Sequence, residues 1–195
     1  YTQKSVGLEL MYRPSDNLTI SAEPEWEQTR HSMQYVTTNE TGGVYSPQYI
    51  FANIDQKILS MSLRVDYNIT PDLTVQYWGQ PFFGSGKYSS FKRITDPVAD
   101  AYTDRFHLYS VREVIAGPGE IFYDASAQQY FVYEDADLLP DYDFENPDFT
   151  VSEFLSNLVV RWEFLPGSTA YLVWSQTRDY GTSDGLFDLG TQFRD

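Results

Sequence analysis

Residues 57–83 read KILSMSLRVDYNITPDLTVQYWGQPFF, and the order of apolar and polar side chains in them decides the fold. From Leu59 to Ile69 the odd-numbered positions Leu59, Met61, Leu63, Val65, Tyr67 and Ile69 are apolar. The even-numbered Ser60, Ser62, Arg64, Asp66 and Asn68 are polar. A period of two predicts a strand with one wet face and one apolar face. Thr70-Pro71-Asp72 interrupts it, because proline lacks an N–H and restrains the residue before it, while aspartate favours turns. The alternation resumes with Leu73, Val75 and Tyr77 against Thr74, Gln76, Trp78 and Gln80. The stretch is therefore a long hairpin.

The same grammar recurs on both sides. Val6, Leu8, Leu10 and Tyr12 predict a strand over 5–12, and the turn residues of 13–17 (RPSDN) reverse the chain. Leu18, Ile20, Ala22, Pro24 and Trp26 then alternate with Thr19, Ser21, Glu23, Glu25 and Glu27. Three glutamates on one face keep that face wet. Near the end, Leu158, Val160, Trp162 and Phe164 alternate with Asn157, Val159, Arg161 and Glu163. Leu165-Pro166-Gly167-Ser168 turns, and residues 169–177 (TAYLVWSQT) return with bulky residues in both registers. Residues 48–56 extend the central hairpin ambiguously. After Gly84-Ser85-Gly86 the chain is expected to leave the sheet, and an acidic connection of about 96–150 follows.

Three short turns thus alternate with two longer connections, the loop pattern of bacterial outer-membrane barrels. The predicted fold is all-β: an antiparallel up-and-down meander forming part of a transmembrane β-barrel, with one long acidic extracellular loop. Six strands are fewer than the eight or so that close a membrane barrel, so the 195 residues are expected to be a partial barrel domain, a fragment of a longer chain. The start at Tyr1, without an initiator Met or a signal peptide, carries the same expectation.

Composition narrows function. A net charge of -15 with no clustered Lys or Arg argues against nucleic acid as a partner. The absence of cysteine removes disulfides and thiolate metal sites. His31 and His107 have no ligand-spaced partner, which leaves zinc and Ser-His chemistry without support.

The segments TPDLTVQYWGQPFFGSGKYSSFK (70–92), YDFENPDF (142–149) and NLVVRWEFLPGSTAYLVWSQT (157–177) resemble the C-terminal barrel region of the outer-membrane family catalogued as domain of unknown function 5916. The resemblance implies a bacterial outer-membrane location, with the lipid bilayer as partner. It also implies a link to glycans through an N-terminal domain similar to carbohydrate-binding family 9, which this chain does not contain. It carries over no catalytic residue and no cofactor.

The alternation puts Glu9, Glu23, Glu25, Glu27, Arg64, Asp66, Arg161 and Glu163 on the lumen side. There they form either a structural network around the two arginines or a polar conduit for a translocated ligand. Asp135, Asp137, Asp141 and Asp143, with Glu134, are a candidate calcium cluster, although their spacing matches no EF-hand. The carboxylate pairs Glu23/Glu25 and Asp141/Asp143 raise glycoside hydrolysis, but nothing in the sequence positions a sugar between them. Trp26, Trp78, Trp162, Trp174, Tyr12 and Tyr67 are read as interfacial girdle residues in preference to sugar-stacking ones. The expected role is structural, anchoring or transport, not enzymatic. A soluble carbohydrate-binding β-sandwich and a hydrolase are the alternatives.

Overall fold

Each predicted reversal closes as a two-residue turn in the computed structural model, which describes residues 1–40, 47–135 and 138–187. Ser15 Oγ donates to Asn17 Oδ1 (2.6 Å) across the first turn, and Thr70 Oγ1 accepts from the Asp72 N–H (3.3 Å) in the second. In the third, Gly167 has φ +77°, which a residue with a Cβ adopts only under strain. Between the turns lie long strands. They are β1 (Thr2–Gly7), β2 (Leu10–Ser15), β3 (Leu18–Asn39), β4 (Gln48–Thr70), β5 (Leu73–Ile94), β6 (Phe106–Leu108), β7 (Ile121–Asp124), β8 (Gln129–Val132), β9 (Tyr142–Glu145), β10 (Phe149–Leu165) and β11 (Ser168–Thr182). The fold is all-β and its main sheet is an antiparallel meander in the order β1-β3-β4-β5-β10-β11, with β2 also on β3 and β6 also on β5. That sheet is open, ending on β1 and β11.

Two expectations change and a third holds. The strand expected over 5–12 is two strands, because its partner β3 carries Pro24. The Leu8 N–H donates to the Pro24 carbonyl (3.0 Å), but proline has no N–H to return, and the ladder lapses at Leu8–Glu9 before Leu10 pairs with Ala22. The chain does not leave the sheet at Gly84-Ser85-Gly86, where β5 continues to Ile94. Residues 48–56 are the first part of β4. They read ambiguously because buried positions there are even-numbered, Gln48, Ile50, Ala52 and Ile54, whereas the apolar stripe further on is odd-numbered.

The chain divides into two compact units. Residues 3–29, 56–86 and 149–195 form the sheet unit, which among its described residues is one β-sheet and nothing else. Its register is explicit on one side. Leu73, Val75 and Tyr77 of β5 lie opposite Trp162, Val160 and Leu158 of β10, which in turn lie opposite Ala170, Leu172 and Trp174 of β11. Directly paired residues project from the same face, so the face of the return strand left open by the sequence is settled: Leu172 and Trp174 join the apolar side. Gly86 faces Phe149, whose ring occupies the space a Cβ would take.

The second unit, called the outer unit after the extracellular loop that the sequence predicts for much of it, holds residues 1–2, 30–55 and 87–148. Here the expected loop of about 96–150 is largely folded: a short 3-10 turn (Tyr102–Arg105), β6 on β5, and a separate β7-β8-β9 sheet, before β10 begins at Phe149. Ile50, Ala52 and Phe91 from the long strands pack with Tyr109, Ile121, Val132, Tyr142 and Phe144 from the excursion into a hydrophobic core. Ile50, Ala52 and Val132 are completely buried. Polar clips reinforce it. Lys92 Nζ donates to the Ser32 carbonyl (2.7 Å) and Asn53 Oδ1 (2.9 Å), and Arg112 donates to the carbonyls of Gly119 (3.0 Å) and Ile115 (2.8 Å).

Truncating Ile50→Ala should cost about 2–5 kcal/mol, the range for buried Ile-to-Ala changes. The loss should appear as faster amide exchange in residues 121–145 with little change in 157–177. The change Gly86→Val should displace the Phe149 ring and lower the thermal midpoint of the full chain, whereas Gly7→Ala, whose Cβ would meet nothing closer than 3.8 Å, should leave it unchanged.

Candidate functional site

On one face of the sheet unit two of the eight charged residues that the alternation predicts come together. Arg64 and Asp66 of β4, Gln76, Tyr77 and Trp78 of β5, and Asn157 and Val159 of β10 line a shallow groove of about 240 Å³. The ladder explains the grouping, since Gln76 lies opposite Val159 and Trp78 opposite Asn157. Within it, Gln76 Nε2 donates to Asp66 Oδ1 (3.1 Å). Asn157 Oδ1 accepts from Ser175 Oγ (3.1 Å), which carries the polar row onto β11. Trp78 is half-buried and belongs to this polar groove and not to an interfacial girdle on the apolar face. Its even number among Thr74, Gln76 and Gln80 is the signal in the sequence that places it here.

The other candidates are spread along the same sheet. Arg161 Nη2 pairs with Glu163 Oε2 (3.2 Å), and Glu163 Oε1 also accepts from the Gly167 N–H (3.0 Å), so this pair braces the third turn. Arg64 is exposed, and its side chain forms no ion pair or hydrogen bond with any described residue. The structure therefore does not join the two arginines into one network. Glu27 accepts from Thr29 Oγ1 (3.0 Å). Glu23 and Glu25 are exposed on β3, and Glu9 is exposed in the gap between β1 and β2 where Pro24 interrupts pairing. Among the described residues none of these three forms an ion pair.

Comparison with protein-family models, curated proteins and solved structures finds no match for this chain.

The acidic excursion needs separate treatment. Residues 95–148 hold thirteen Asp and Glu against two Arg, most of the net charge of the chain. The better-buried of these carboxylates have structural tasks in the outer unit. Glu134 pairs with Arg93 (3.3 Å) and accepts from Gln48 Nε2 (3.2 Å), while Asp141 accepts from the Glu134 N–H (2.6 Å). Asp148 accepts from the Tyr88 N–H (2.6 Å), and Asp124 caps a turn by accepting from Ser126 N (2.8 Å) and Oγ (2.6 Å). Asp135 and Asp143 are exposed. Asp137 lies outside the described residues. Among those described, no three His, Asp or Glu side chains converge as a metal site, and the calcium reading gains nothing from the geometry.

Glu120 is the most fully engaged of the set. Its Oε2 accepts from Ser110 N and Oγ (3.0 Å each), and its Oε1 meets His107 Nε2 at 2.7 Å. Burial alone would raise its pKa. The hydrogen bonds from Ser110 and His107 outweigh that and hold it below the ordinary value of 4.5. A carboxylate whose pKa falls on folding adds stability above its unfolded pKa and loses it as pH drops through the folded one. Comparing wild type with Glu120→Gln, wild type should be the more stable near neutral pH, with the difference shrinking as pH falls below about 4.5. Unfolding midpoints followed by circular dichroism across that range check it.

Proposed function

We propose that the sheet unit is part of an outer-membrane β-barrel, with a structural, anchoring or transport role and no catalysis. The observation that carries the reading is a sheet with one apolar face and no second layer. In water a single sheet must bury an apolar face against another element, and among its described residues the sheet unit contains none. Hydrocarbon is the covering that matches its dimensions. The apolar stripe runs over 18–26 in β3, 59–69 in β4, 73–81 in β5 and 154–164 in β10, with Phe83 beyond it already buried, and a bilayer asks about 9–11 residues of each tilted strand.

Charge placement agrees. The stripes end near Arg30, Asp55, Lys57 and Lys87, where Arg30 Nε bonds Asp55 Oδ2 (3.0 Å). The boundary between the two units falls at the same residues. In this reading Tyr12, Tyr67, Trp162 and Phe164, all substantially exposed, form the girdle on the turn side. The outer unit is extracellular, and its acidic surface stays in water. Lipid does not tolerate an open edge, so further strands complete the ring beside β1–β2 and β11. The resemblance to the family of domain of unknown function 5916 points the same way, and with it a glycan link through a domain outside this chain. A soluble carbohydrate-binding sandwich needs a second layer, and the described residues of the sheet unit supply none.

Leu63 sits near the middle of the β4 stripe. Substitution Leu63→Arg should cost about 2–4 kcal/mol in a bilayer, measured as lost insertion of the full polypeptide into phosphatidylcholine vesicles. Purification as a monomer without detergent, with Leu63→Arg as stable as wild type, would overturn the reading.

A further inference from the structure

The groove on the polar face contains a combination that a solvated wall does not require. Trp78 and Val159 offer apolar surface, and Gln76, Asn157 and Asp66 offer amide donors, carbonyl acceptors and a carboxylate within the same depression. Asp66 is already engaged by the Gln76 amide (3.1 Å), which fixes both groups in place. Arg64 is the exception. Two residues along β4 from Asp66 and on the same face, it makes no ion pair with that carboxylate and none with any other described residue. The chain has 28 acidic residues against 13 Lys and Arg, so a base without a carboxylate partner is not the result of a shortage of carboxylates.

We propose that this groove is a subsite for a sugar ring that carries a carboxylate. The indole stacks on the apolar C–H face of a pyranose, since that face needs an apolar surface without hydrogen-bonding demands. Gln76, Asn157 and Asp66 supply donors and acceptors for hydroxyl groups around the ring edge. Arg64 takes the carboxylate, for which its planar fork of N–H groups is suited. About 240 Å³ falls below the roughly 300–1,000 Å³ of pockets that enclose drug-sized ligands, which fits one ring of a longer saccharide passing through. The proposal rests on the barrel reading, in which this face is the wall of a water-filled lumen.

The test uses the full polypeptide in detergent micelles, titrated calorimetrically with trigalacturonate, with neutral galactotriose and with inorganic phosphate. Trigalacturonate should bind. Trp78→Ala should weaken it at least tenfold with Trp78→Phe retaining most of the affinity, and Arg64→Gln should weaken it at least tenfold while leaving any galactotriose binding unchanged. Equal affinity for both trisaccharides, or phosphate binding lost in Arg64→Gln without trisaccharide binding, would overturn the assignment. So would a folded, detergent-dependent protein that binds neither sugar, and in that case the barrel reading stands. Should the protein instead prove soluble without detergent, the barrel reading fails and takes the lumen placement with it.

Discussion

The structure depends on the lock between side-chain parity and the backbone ladder. In an antiparallel sheet, directly opposed residues share a face, so the choice of face made by one strand is imposed on its neighbours. Val75 opposite Val160, and Val160 opposite Leu172, carry one apolar stripe across three strands. Gln76 opposite Val159 and Trp78 opposite Asn157 carry the other face with equal fidelity. A slip of one residue would turn every one of these side chains over. The two-residue turns at 16–17, 71–72 and 166–167 hold one end of each hairpin, and a one-residue bulge beside the first and the third, between Tyr12 and Ser15 and between Glu163 and Leu165, brings the ladder to the register in which the faces match.

Where parity alone governs, the sequence is a good guide. The six alternating segments, their three reversals and their antiparallel order follow from letters two apart and from Pro, Gly, Asp and Asn in the turns. The shared face of Arg64, Asp66 and Gln76 follows too, while Trp78, read as a girdle residue, proves to line the same groove. What escaped is what depends on another strand. The gap at Leu8–Glu9 is caused by Pro24, a residue on the neighbouring strand, and only the pairing reveals that the two meet. The return strand over 169–177 has bulky residues on both sides, and its faces are set by the register with β10.

The outer unit was illegible for a related reason. Its core is assembled from short pieces, Ile50 and Ala52, Phe91, then Tyr109, Ile121, Val132, Tyr142 and Phe144, none of which forms a long periodic run. The strand β4 also changes which parity is buried, so a single period cannot describe it from end to end. The acidic character of 95–148 reads as a solvated loop, yet several of its carboxylates are spent on backbone N–H groups and on Arg93. Charge density by itself says little about whether a segment is ordered.

The bond between Gln48 and Glu134 joins positions 86 residues apart. Bringing such ends together costs loop-closure entropy before any contact rewards it, and assembly slows as the contacting partners become more distant along the polypeptide. The hairpins closed by two-residue turns carry no such delay. Connectivity therefore separates two kinds of closure: the tight ribbons need only local contacts, while Gln48 with Glu134 and Leu73 with Trp162 must wait for distant segments to meet.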